Sequence, residues 1–482
     1  MSDETLQSRL QELSPMKRKI LLRRLLEKKR TMELNHSEDK IAKKDERLKH
    51  EISFPQESIW LLQELLSEAN VTTICNSFIY YELLEDGLVR KTLERMVDRH
   101  AMLRSVFEWG DGSVNILIKE NMECHYDYTD IRALPSEYKF SEAKKIIDDE
   151  FKKPFDLING PLWKIKIIQL EDPEIVLSLF MHHLISDGWS YEIFLREFIQ
   201  IYNSLQTDNH LSLPKLELEY VDYAHWDRNQ YWIQNEAKLT KYWTSYLENS
   251  PSFLNLETDH PYPEKRSFNG DLAPIKLDET LSEKVRTRAA EMNVTVYSFL
   301  LAAWAMLLNK YTNQNDILIV TPVSNRVQWQ FDNVIGCFVD ILPIRTIMSD
   351  HINFTELVEQ ISTDVYNIVA NKIPFSKLID SLNIPSDTQR PPLCQVMFVF
   401  HKELTSAQKM QQIIYPFHHH NKVSEFDLTL ELYDDQIIGG GIQFNSDIFY
   451  KDSVERMSQH FCNLITSIIE KGDRPVSQYE MM

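Results

Sequence analysis

Two adjacent histidines followed by an aspartate and a glycine are the strongest candidates for chemistry in this sequence. Residues 181–190 read Met-His-His-Leu-Ile-Ser-Asp-Gly-Trp-Ser, which places His182, His183, Asp187 and Gly188 in the pattern H-H-x-x-x-D-G. An imidazole accepts or donates a proton near neutral pH, so the pattern suits acid–base chemistry. A single histidine is more often a core residue than a catalytic one, but the whole constellation favours a functional site.

The elements around this pattern determine where its side chains point. The apolar run 175–180 predicts a buried β-strand that ends at the histidines, and the apolar periodicity of residues 194–201 predicts a helix after them. Because neighbouring strand residues point to opposite faces, one histidine should face a cleft and the other the supporting core. Asp187 and Gly188 then fall in the turn, where a buried carboxylate needs a cationic or hydrogen-bonding partner and glycine allows a tight bend.

Five other segments match, in order, the motifs of one enzyme family. The segments are Ser53–Trp60, Arg99–Phe107, Tyr220–Trp226, Ile335–Asp340 and Ser386–Leu393. They are similar, respectively, to S-x-A-Q-x-R-x-W, R-H-E-x-L-R-T-x-F, Y-x-D-[FY]-A-x-W, I-G-x-F-V-N and R-D-x-S-R-N-P-L. With H-H-x-x-x-D-G, this ordered set resembles the condensation domains of nonribosomal peptide synthetases, which are related to chloramphenicol acetyltransferase. The resemblance covers residues 51–482.

The chain departs from these motifs at several positions outside the H-H-x-x-x-D-G pattern. The departures are Pro55, Ser58, Ala101, Asp340, Ser386 and Pro391. Among them, Asp340 replaces an asparagine beside the expected cleft floor and adds a negative charge there. These departures bear on substrate preference more than on activity.

The resemblance implies an α/β (α+β) fold of two chloramphenicol acetyltransferase-like lobes, which form a V-shaped pseudo-dimer with a central tunnel. We assign residues 51–213 to the N-terminal lobe and residues 214–482 to the C-terminal lobe, because Pro214 and the polar stretch before it mark a boundary. One carrier arm is expected to enter the tunnel from each side.

The same resemblance implies catalytic roles for two residues of the pattern. His183 is expected to face the tunnel and, while neutral, to act on the amine proton as a general base or as a hydrogen-bonding anchor. The backbone amide of Gly188, near the start of the helix, is the expected oxyanion donor.

The other two residues of the pattern are expected to be structural at the active site. His182 supports the turn, and Asp187 holds the motif in shape through a buried ion pair. Arg326, which follows a predicted buried strand, is the expected partner of Asp187. Arg104 is a second, less favoured candidate.

Three functions are compatible with these motifs. The first, which we favour, is peptide-bond formation between an upstream carrier-bound acyl or peptidyl thioester of L configuration and a downstream carrier-bound aminoacyl amine. The second is a stand-alone acyltransferase that joins a coenzyme A- or carrier-bound acyl group to a free small-molecule acceptor, as an amide or ester. The third is a non-catalytic carrier-recruiting scaffold, against which the intact histidine pair argues. No directly bound cofactor or metal is expected, because phosphopantetheine arms of partner carriers bring the substrates.

Composition argues against several other classes of protein. The formal net charge is −20, and a body this acidic is a poor nucleic-acid binder. With only 11 glycines and neither a G-x-x-x-x-G-K-[ST] nor a G-x-G-x-x-G pattern, phosphate-binding loops are not expected. Five scattered cysteines, a start without a signal peptide and a longest apolar run of only Phe299–Leu308 favour a cytoplasmic protein with no membrane span. We also expect a monomer, and His418–His420 to be a solvated loop.

The N-terminal segment differs in charge from the rest of the chain. Residues 1–50 hold 14 Lys and Arg against 9 Asp and Glu, while the remainder holds 38 against 63. Apolar and basic residues within 1–35 predict a short basic helical hairpin, and residues 36–50 predict a linker. Because the domain starts near the beginning of the sequence, we expect residues 1–35 to dock an upstream synthase whose carrier arrives in trans. A self-packed appendage and a membrane anchor are the alternatives.

Overall fold

A computed structural model of the chain gives the fold. It describes residues 41–65, 71–110, 112–124, 126–209, 211–349, 351–384, 389–391, 393–402, 414–417 and 422–482. Asp45–Met482 form one compact unit, to which all the elements below belong. The predicted docking segment 1–35, Ser386 and His418–His420 lie outside the described residues.

Helices and strands alternate along this unit, as predicted for a mixed α/β protein. The helices are α1 (Phe54–Leu65), α2 (Asp86–Arg99), α3 (Ser136–Phe151), α4 (Gly188–Gln206), α5 (Tyr220–Trp226), α6 (Ile233–Tyr246), α7 (Glu279–Glu291), α8 (Val296–Thr312), α9 (Phe354–Ala370), α10 (Phe375–Leu382) and α11 (Lys451–Lys471). The strands are β1 (His50–Glu51), β2 (Thr73–Tyr80), β3 (Ser105–Gly110), β4 (Ser113–Ile118), β5 (Tyr126–Asp130), β6 (Trp163–Gln169), β7 (Ile175–His182), β8 (Gly270–Lys276), β9 (Asp316–Ser324), β10 (Val339–Ile347), β11 (Val396–Lys402), β12 (Ile414–Pro416), β13 (Leu428–Asp434) and β14 (Ile438–Asn445). A π-helical segment, Asp227–Trp232, connects α5 to α6.

Two larger sheets lie on the two sides of the predicted lobe boundary in sequence. The six-stranded sheet has the order β10-β9-β11-β13-β14-β8, and all its strands follow residue 213. The five-stranded sheet has the order β12-β2-β7-β6-β5. Its edge strand β12 comes from the range assigned to the C-terminal lobe and pairs antiparallel with β2, with Tyr415 opposite Ile79. One short segment therefore crosses from the C-terminal part of the chain to complete the N-terminal sheet.

Strand β7 is an interior strand of the five-stranded sheet and carries the first histidine at its end. It pairs antiparallel with β2 on one side and with β6 on the other, so that Thr73 lies opposite His182. Every residue from Ile175 to His182 is buried. A strand that is buried on both faces is expected to be apolar without alternation, which explains the run seen in the sequence.

Helix α8 forms the centre of the C-terminal core. The side chain of Thr295 caps its start by accepting a hydrogen bond from the Ser298 N–H at 3.1 Å, and Asn313 ends it in the left-handed conformation with φ 53°. All residues of Phe299–Leu308 are buried, so the predicted buried helix is confirmed. Within the described ranges no single helix has both the length and the apolar character to cross a membrane; α7 and α8 meet these criteria only as a pair bent by 106°.

Candidate active site

The turn between β7 and α4 positions the whole H-H-x-x-x-D-G pattern. β7 ends at His182, and α4 begins at Gly188 with Asp187 as its N-cap. The Asp187 side chain accepts a hydrogen bond from the backbone N–H of Ser190 at 2.8 Å, which satisfies a donor that the first helical turn leaves open. The sequence thus folds here as a strand, a tight turn and a capped helix.

His182 is a supporting residue with both ring nitrogens engaged. Its Nδ1 accepts the backbone N–H of Leu184 at 3.1 Å, and its Nε2 lies 3.0 Å from the Thr72 hydroxyl. Because Nδ1 accepts, we assign the proton to Nε2. Burial lowers the pKa of His182 to about 3, with a smaller contribution from His183. The ring is therefore neutral and fixed in one orientation.

His183 has the opposite pattern of ring contacts. Its backbone N–H donates to the Thr72 carbonyl at 2.7 Å, and its Nδ1 lies 3.2 Å from the Ser186 carbonyl oxygen. A carbonyl only accepts, so we assign the proton to Nδ1, which leaves Nε2 with a lone pair. Nε2 makes no hydrogen bond within the described residues, and the side chain is partly exposed. Burial lowers the pKa of His183, so the imidazole is neutral near pH 7.

The carboxylate of Asp187 is the most heavily bonded group of the site. Its Oδ1 accepts the Ser190 hydroxyl at 2.7 Å, and its Oδ2 accepts the Phe338 backbone N–H at 3.1 Å. One guanidinium nitrogen of Arg326 lies 3.1 Å from Oδ1 and 3.3 Å from Oδ2. The Asp187 and Arg326 side chains are 0% and 6% exposed. The structure thus brings together the two residues that the sequence analysis paired.

Backbone carbonyls hold the Arg326 guanidinium in place. Its second terminal nitrogen donates to the carbonyls of Phe331 at 2.5 Å and Val334 at 2.7 Å. These bonds satisfy donors that the carboxylate does not reach, as a buried ion pair requires. Arg104, the less favoured candidate, donates instead to the Lys119 carbonyl at 2.7 Å and does not contact the carboxylate.

Gly188 does not have the role in the turn that the sequence predicted. It is not among the glycines with positive φ, so the expectation that the turn needs glycine for a tight bend is wrong. The turn lies at residues 183–185, where the Ile185 N–H donates to the His182 carbonyl at 3.0 Å, and Asp187 after it is extended, with φ −134° and ψ 179°. An added Cβ at Gly188 would meet no atom within 4 Å, and the residue is exposed. Its amide has no hydrogen-bond acceptor among the described residues. The space beside its Cα is therefore open, and its amide is unsatisfied within these residues.

Residues from the other motifs support the turn, and the sequence analysis did not assign these roles. The Gln56 side-chain amide donates to the Leu184 carbonyl at 2.7 Å. The Tyr220 hydroxyl lies 2.6 Å from the Ser53 hydroxyl and donates to the Cys337 carbonyl at 2.7 Å. The ordered set of motifs indicated that these residues belong to the site. The spacing of the motifs along the sequence does not show which of their side chains are in contact.

Three comparisons with known proteins agree on the family. The family model "Condensation domain" matches residues 47–482. A linear gramicidin synthase of Brevibacillus parabrevis is 32% identical over 86% of this chain and 8% of its own length. Gramicidin S synthase 2 of Brevibacillus brevis is 30% identical over 83% of this chain and 9% of its own length. This chain belongs to the condensation domain family. It spans less than a tenth of each of these curated relatives.

Solved structures show that the domain has the condensation-domain fold, which is chloramphenicol acetyltransferase-like, as the resemblance implied. A four-domain nonribosomal peptide synthetase matches with a TM-score of 0.81 and 20% identity over 90% of this chain and 34% of its own. The X-domain from teicoplanin biosynthesis matches with a TM-score of 0.79 and 20% identity over 92% of this chain and 99% of its own.

The charge that Asp340 adds to this condensation domain is buried. Its carboxyl accepts the backbone N–H of Phe375 at 3.2 Å and is 7% exposed. Burial removes water from both carboxyl groups and thereby raises the pKa of Asp340 to about 6 and that of the neighbouring Asp227 to about 7. Asp227 accepts the Phe54 backbone N–H at 3.1 Å. Two weakly acidic carboxyl groups therefore lie behind the site.

We predict that Asp187→Ala destabilises the domain strongly, because it leaves the buried Arg326 guanidinium without its counter-charge. The expected loss in the free energy of unfolding is about 3–5 kcal/mol, measured by urea denaturation. Asp172→Ala is the control, since Asp172 pairs with Arg132 at the surface with side chains 59% and 44% exposed. That pair should contribute at most about 1 kcal/mol. Equal losses in the two variants would contradict the structural role of Asp187.

We predict that Gly336→Ala is destabilising because the Tyr220 ring occupies the space of the missing side chain. An added Cβ would lie 2.0 Å from Cδ2 of Tyr220, whose ring packs edge-on against Phe338 with centroids 4.8 Å apart. Overpacking of this kind costs about 1–3 kcal/mol and should lower the thermal midpoint. In Gly87→Ala, the control on α2, the new Cβ meets nothing closer than 4.0 Å. A Gly336→Ala protein as stable as this control would refute the prediction.

Proposed function

We propose that this domain forms a peptide bond between two carrier-bound substrates in nonribosomal peptide, or hybrid polyketide–peptide, biosynthesis. The donor is an upstream acyl or peptidyl thioester, and the acceptor is the α-amine of a downstream aminoacyl thioester. The observation that carries this proposal is the neutral His183 ring, whose Nδ1 is held by the Ser186 carbonyl while Nε2 keeps its lone pair. The homology to the two gramicidin synthases supports it.

The reaction needs one proton removed and one thiol released. The amine nitrogen attacks the thioester carbonyl, and Nε2 of His183 accepts or orients the amine proton. The tetrahedral oxyanion then collapses, the C–S bond breaks, and the sulfur takes up the proton to leave a free thiol and an amide. Holding both tethered substrates in line contributes roughly 7–11 kcal/mol to lowering the barrier, and one imidazole contributes about 10²–10⁴-fold.

The amide of Gly188 is the group that we assign to the oxyanion. It opens α4, so its N–H has no partner within the helix, and the helix dipole places partial positive charge there. The open space beside the Gly188 Cα leaves room for a substrate at this end of the helix. A side chain at this position would fill that space, which gives glycine a role that does not depend on backbone bending.

The configuration of the donor and the kind of carrier that brings it remain to be assigned. We assign an L-configured donor from the resemblance of the opening and histidine motifs to that subtype. The alternative is an acyltransferase that uses a coenzyme A-bound donor or a free acceptor. An assay that compares the rates with carrier-bound and coenzyme A-bound donors distinguishes this alternative from the proposed condensation. A non-catalytic scaffold is disfavoured, because a scaffold does not need the unengaged Nε2 of His183.

His183→Ala should abolish condensation and leave the fold intact. The side chain is partly exposed and, among the described residues, makes one hydrogen bond, to a carbonyl within its own turn, so its removal costs little stability. The measurement is intact-protein mass spectrometry of the acceptor carrier after mixing with loaded donor, together with thermal unfolding. Wild-type rates in His183→Ala would eliminate the assigned role and favour the scaffold.

The pH dependence of the condensation rate provides a second test of the role of His183. Since the pKa of His183 lies below its ordinary value of 6.5, the neutral form that accepts a proton predominates throughout the physiological range. Because the acceptor α-amine also becomes protonated in this range, the single-turnover rate is divided by the fraction of unprotonated amine. The corrected rate should stay level as the pH falls from about 8 to the ordinary imidazole value and decline only below it. A decline of the corrected rate centred above 6.5 would show that His183 is protonated too easily for this role.

We also propose that residues 1–35 dock the upstream synthase. The support is the charge contrast: the first 50 residues are net basic, whereas the rest of the chain is strongly acidic. Opposite charge on a partner raises the rate of encounter more than it raises the final affinity.

Deletion of residues 1–35 should weaken donor delivery without changing the chemistry. We expect the condensation rate in trans to fall about tenfold at low carrier concentration and to return to the full-length rate at saturation. A full-length variant with the basic residues of this segment changed to glutamine tests the charge alone. An unchanged rate at low carrier concentration in both proteins would rule out docking.

A further inference from the structure

The π-helical segment Asp227–Trp232 holds the start of α1. The Asp227 carboxyl group accepts the backbone N–H of Phe54, the first residue of α1, at 3.1 Å. The Trp232 ring packs edge-on against the Phe54 ring, with centroids 5.9 Å apart. In an α-helix, two residues with the spacing of Asp227 and Trp232 would point about 140° away from each other. The i→i+5 hydrogen bonding of a π-helix instead brings such residues to one face, so that both contact Phe54.

Arg228 makes further contacts with the same helix start. Its Nε donates to the Ile52 carbonyl, and one of its terminal nitrogens donates to the Glu57 carboxylate at 2.8 Å. Its guanidinium lies over the Phe54 ring, with the central carbon 4.4 Å from the centroid. The π-helical segment therefore contacts the backbone, a charged side chain and an aromatic ring at this end of α1. Contacts of such different kinds restrict both the position and the direction of the helix start.

The π-helical segment is itself held by the C-terminal part of the chain. The Tyr231 hydroxyl donates to the Lys372 carbonyl at 2.8 Å, and the Tyr231 and Trp226 rings pack with centroids 5.1 Å apart. Lys372 lies in the connection between α9 and α10. The segment thus joins the start of α1, in the N-terminal part, to a helix connection in the C-terminal part. π-Helical turns are rare and occur frequently at functional sites.

Gln56 connects the start of α1 to the turn that carries His183. Its side-chain oxygen accepts the Ser53 backbone N–H at 3.0 Å, and its side-chain nitrogen donates to the Leu184 carbonyl at 2.7 Å. Leu184 follows His183 directly in this turn. The Gln56 side chain is fully buried, and exchange of its oxygen and nitrogen would lose both bonds. A displacement of the helix start therefore displaces the turn or breaks one of these bonds.

We propose that Asp227 is a positioning residue for the condensation reaction, because it holds the start of α1 and, through Gln56, the turn that carries His183. The inference rests on the proposed function, since the position of His183 affects a rate only if His183 acts on a substrate. A displacement of about 1 Å that originates far from the reacting atoms can lower a rate about 100-fold. Release of the helix start should therefore lower the rate of the chemical step more than the affinity for either carrier.

Two substitutions of Asp227 test the hydrogen bond to the Phe54 N–H. Asp227→Ala removes the acceptor and should lower the single-turnover condensation rate per folded molecule about tenfold, with the same half-saturating carrier concentration. Asp227→Asn keeps a side-chain oxygen that can accept the bond and should retain the wild-type rate. Asp278→Ala is the control, because the Asp278 carboxylate caps α7 in the C-terminal part by accepting the Leu281 N–H at 2.7 Å. It should also retain the wild-type rate.

Two further variants test the route to the turn. Arg228→Met releases the same helix start at a side chain that is 22% exposed, so it should lower the rate in a protein that folds normally. In the double variant Asp227→Ala/Gln56→Ala, the rate should be close to that of Gln56→Ala alone, because residues that act in series are not additive. If the two single losses multiply in the double variant, the route through Gln56 is overturned.

Hydrogen exchange without substrate separates this inference from the proposed function. In Asp227→Ala the backbone amides of residues 183–190 should exchange faster than in wild-type protein, and in Asp278→Ala they should not. Faster exchange in Asp227→Ala, when wild-type protein condenses no substrate, supports the positioning role and overturns the proposed reaction. Wild-type exchange and a wild-type condensation rate in folded Asp227→Ala protein overturn the positioning role and leave the proposed function supported.

Discussion

The buried ion pair between Asp187 and Arg326 is the interaction on which the site depends. The two residues lie 139 positions apart, and their contact joins the start of α4 to the segment that precedes β10. Taking both charges out of water is costly, and each remaining donor or acceptor that finds a partner offsets part of the cost. Ser190, Phe338 and backbone carbonyls bind the carboxylate and the terminal guanidinium nitrogens, whereas Nε of Arg326 has no partner among the described residues. The turn that carries His183 is therefore fixed by an interaction that tolerates little change.

The family motifs far from the histidines are parts of the same hydrogen-bonded structure. Gln56 holds the Leu184 carbonyl inside the turn, and Tyr220 connects the first motif to the carbonyl of Cys337. Gly336 has no side chain because the Tyr220 ring fills that space. Buried polar groups must be satisfied, so each such contact constrains the residue types on both sides. These three motif residues thus stabilise the site without any need to contact substrate.

Local patterns in the sequence predicted the helices and strands around the site but not the tertiary contacts between them. The apolar run before His182 and the periodicity after Gly188 predicted β7 and α4, and the need of a buried carboxylate for a cation pointed to Arg326. The contacts of Ser190 and Gln56 were not predicted, since they depend on tertiary packing. β12 has three residues, too few for a period-two signal, so its crossing to the other sheet could not be predicted. The bend assigned to Gly188 was wrong because the chain turns earlier, at residues 183–185, and Gly188 has no positive φ.

The adjacent histidines show how backbone neighbours, rather than residue type, assign a chemical role. Burial makes both rings neutral, but a backbone N–H contacts Nδ1 of His182 whereas a carbonyl contacts Nδ1 of His183. The two rings are therefore opposite tautomers, and of the two only His183 keeps a lone pair on Nε2 that no described residue engages. A ring with a lowered pKa is a weak base, so it removes a proton well only when the amine already carries positive charge from its attack. In the proposed reaction, rate enhancement would then come chiefly from positioning the tethered substrates, and a rigid turn that holds His183 serves that purpose.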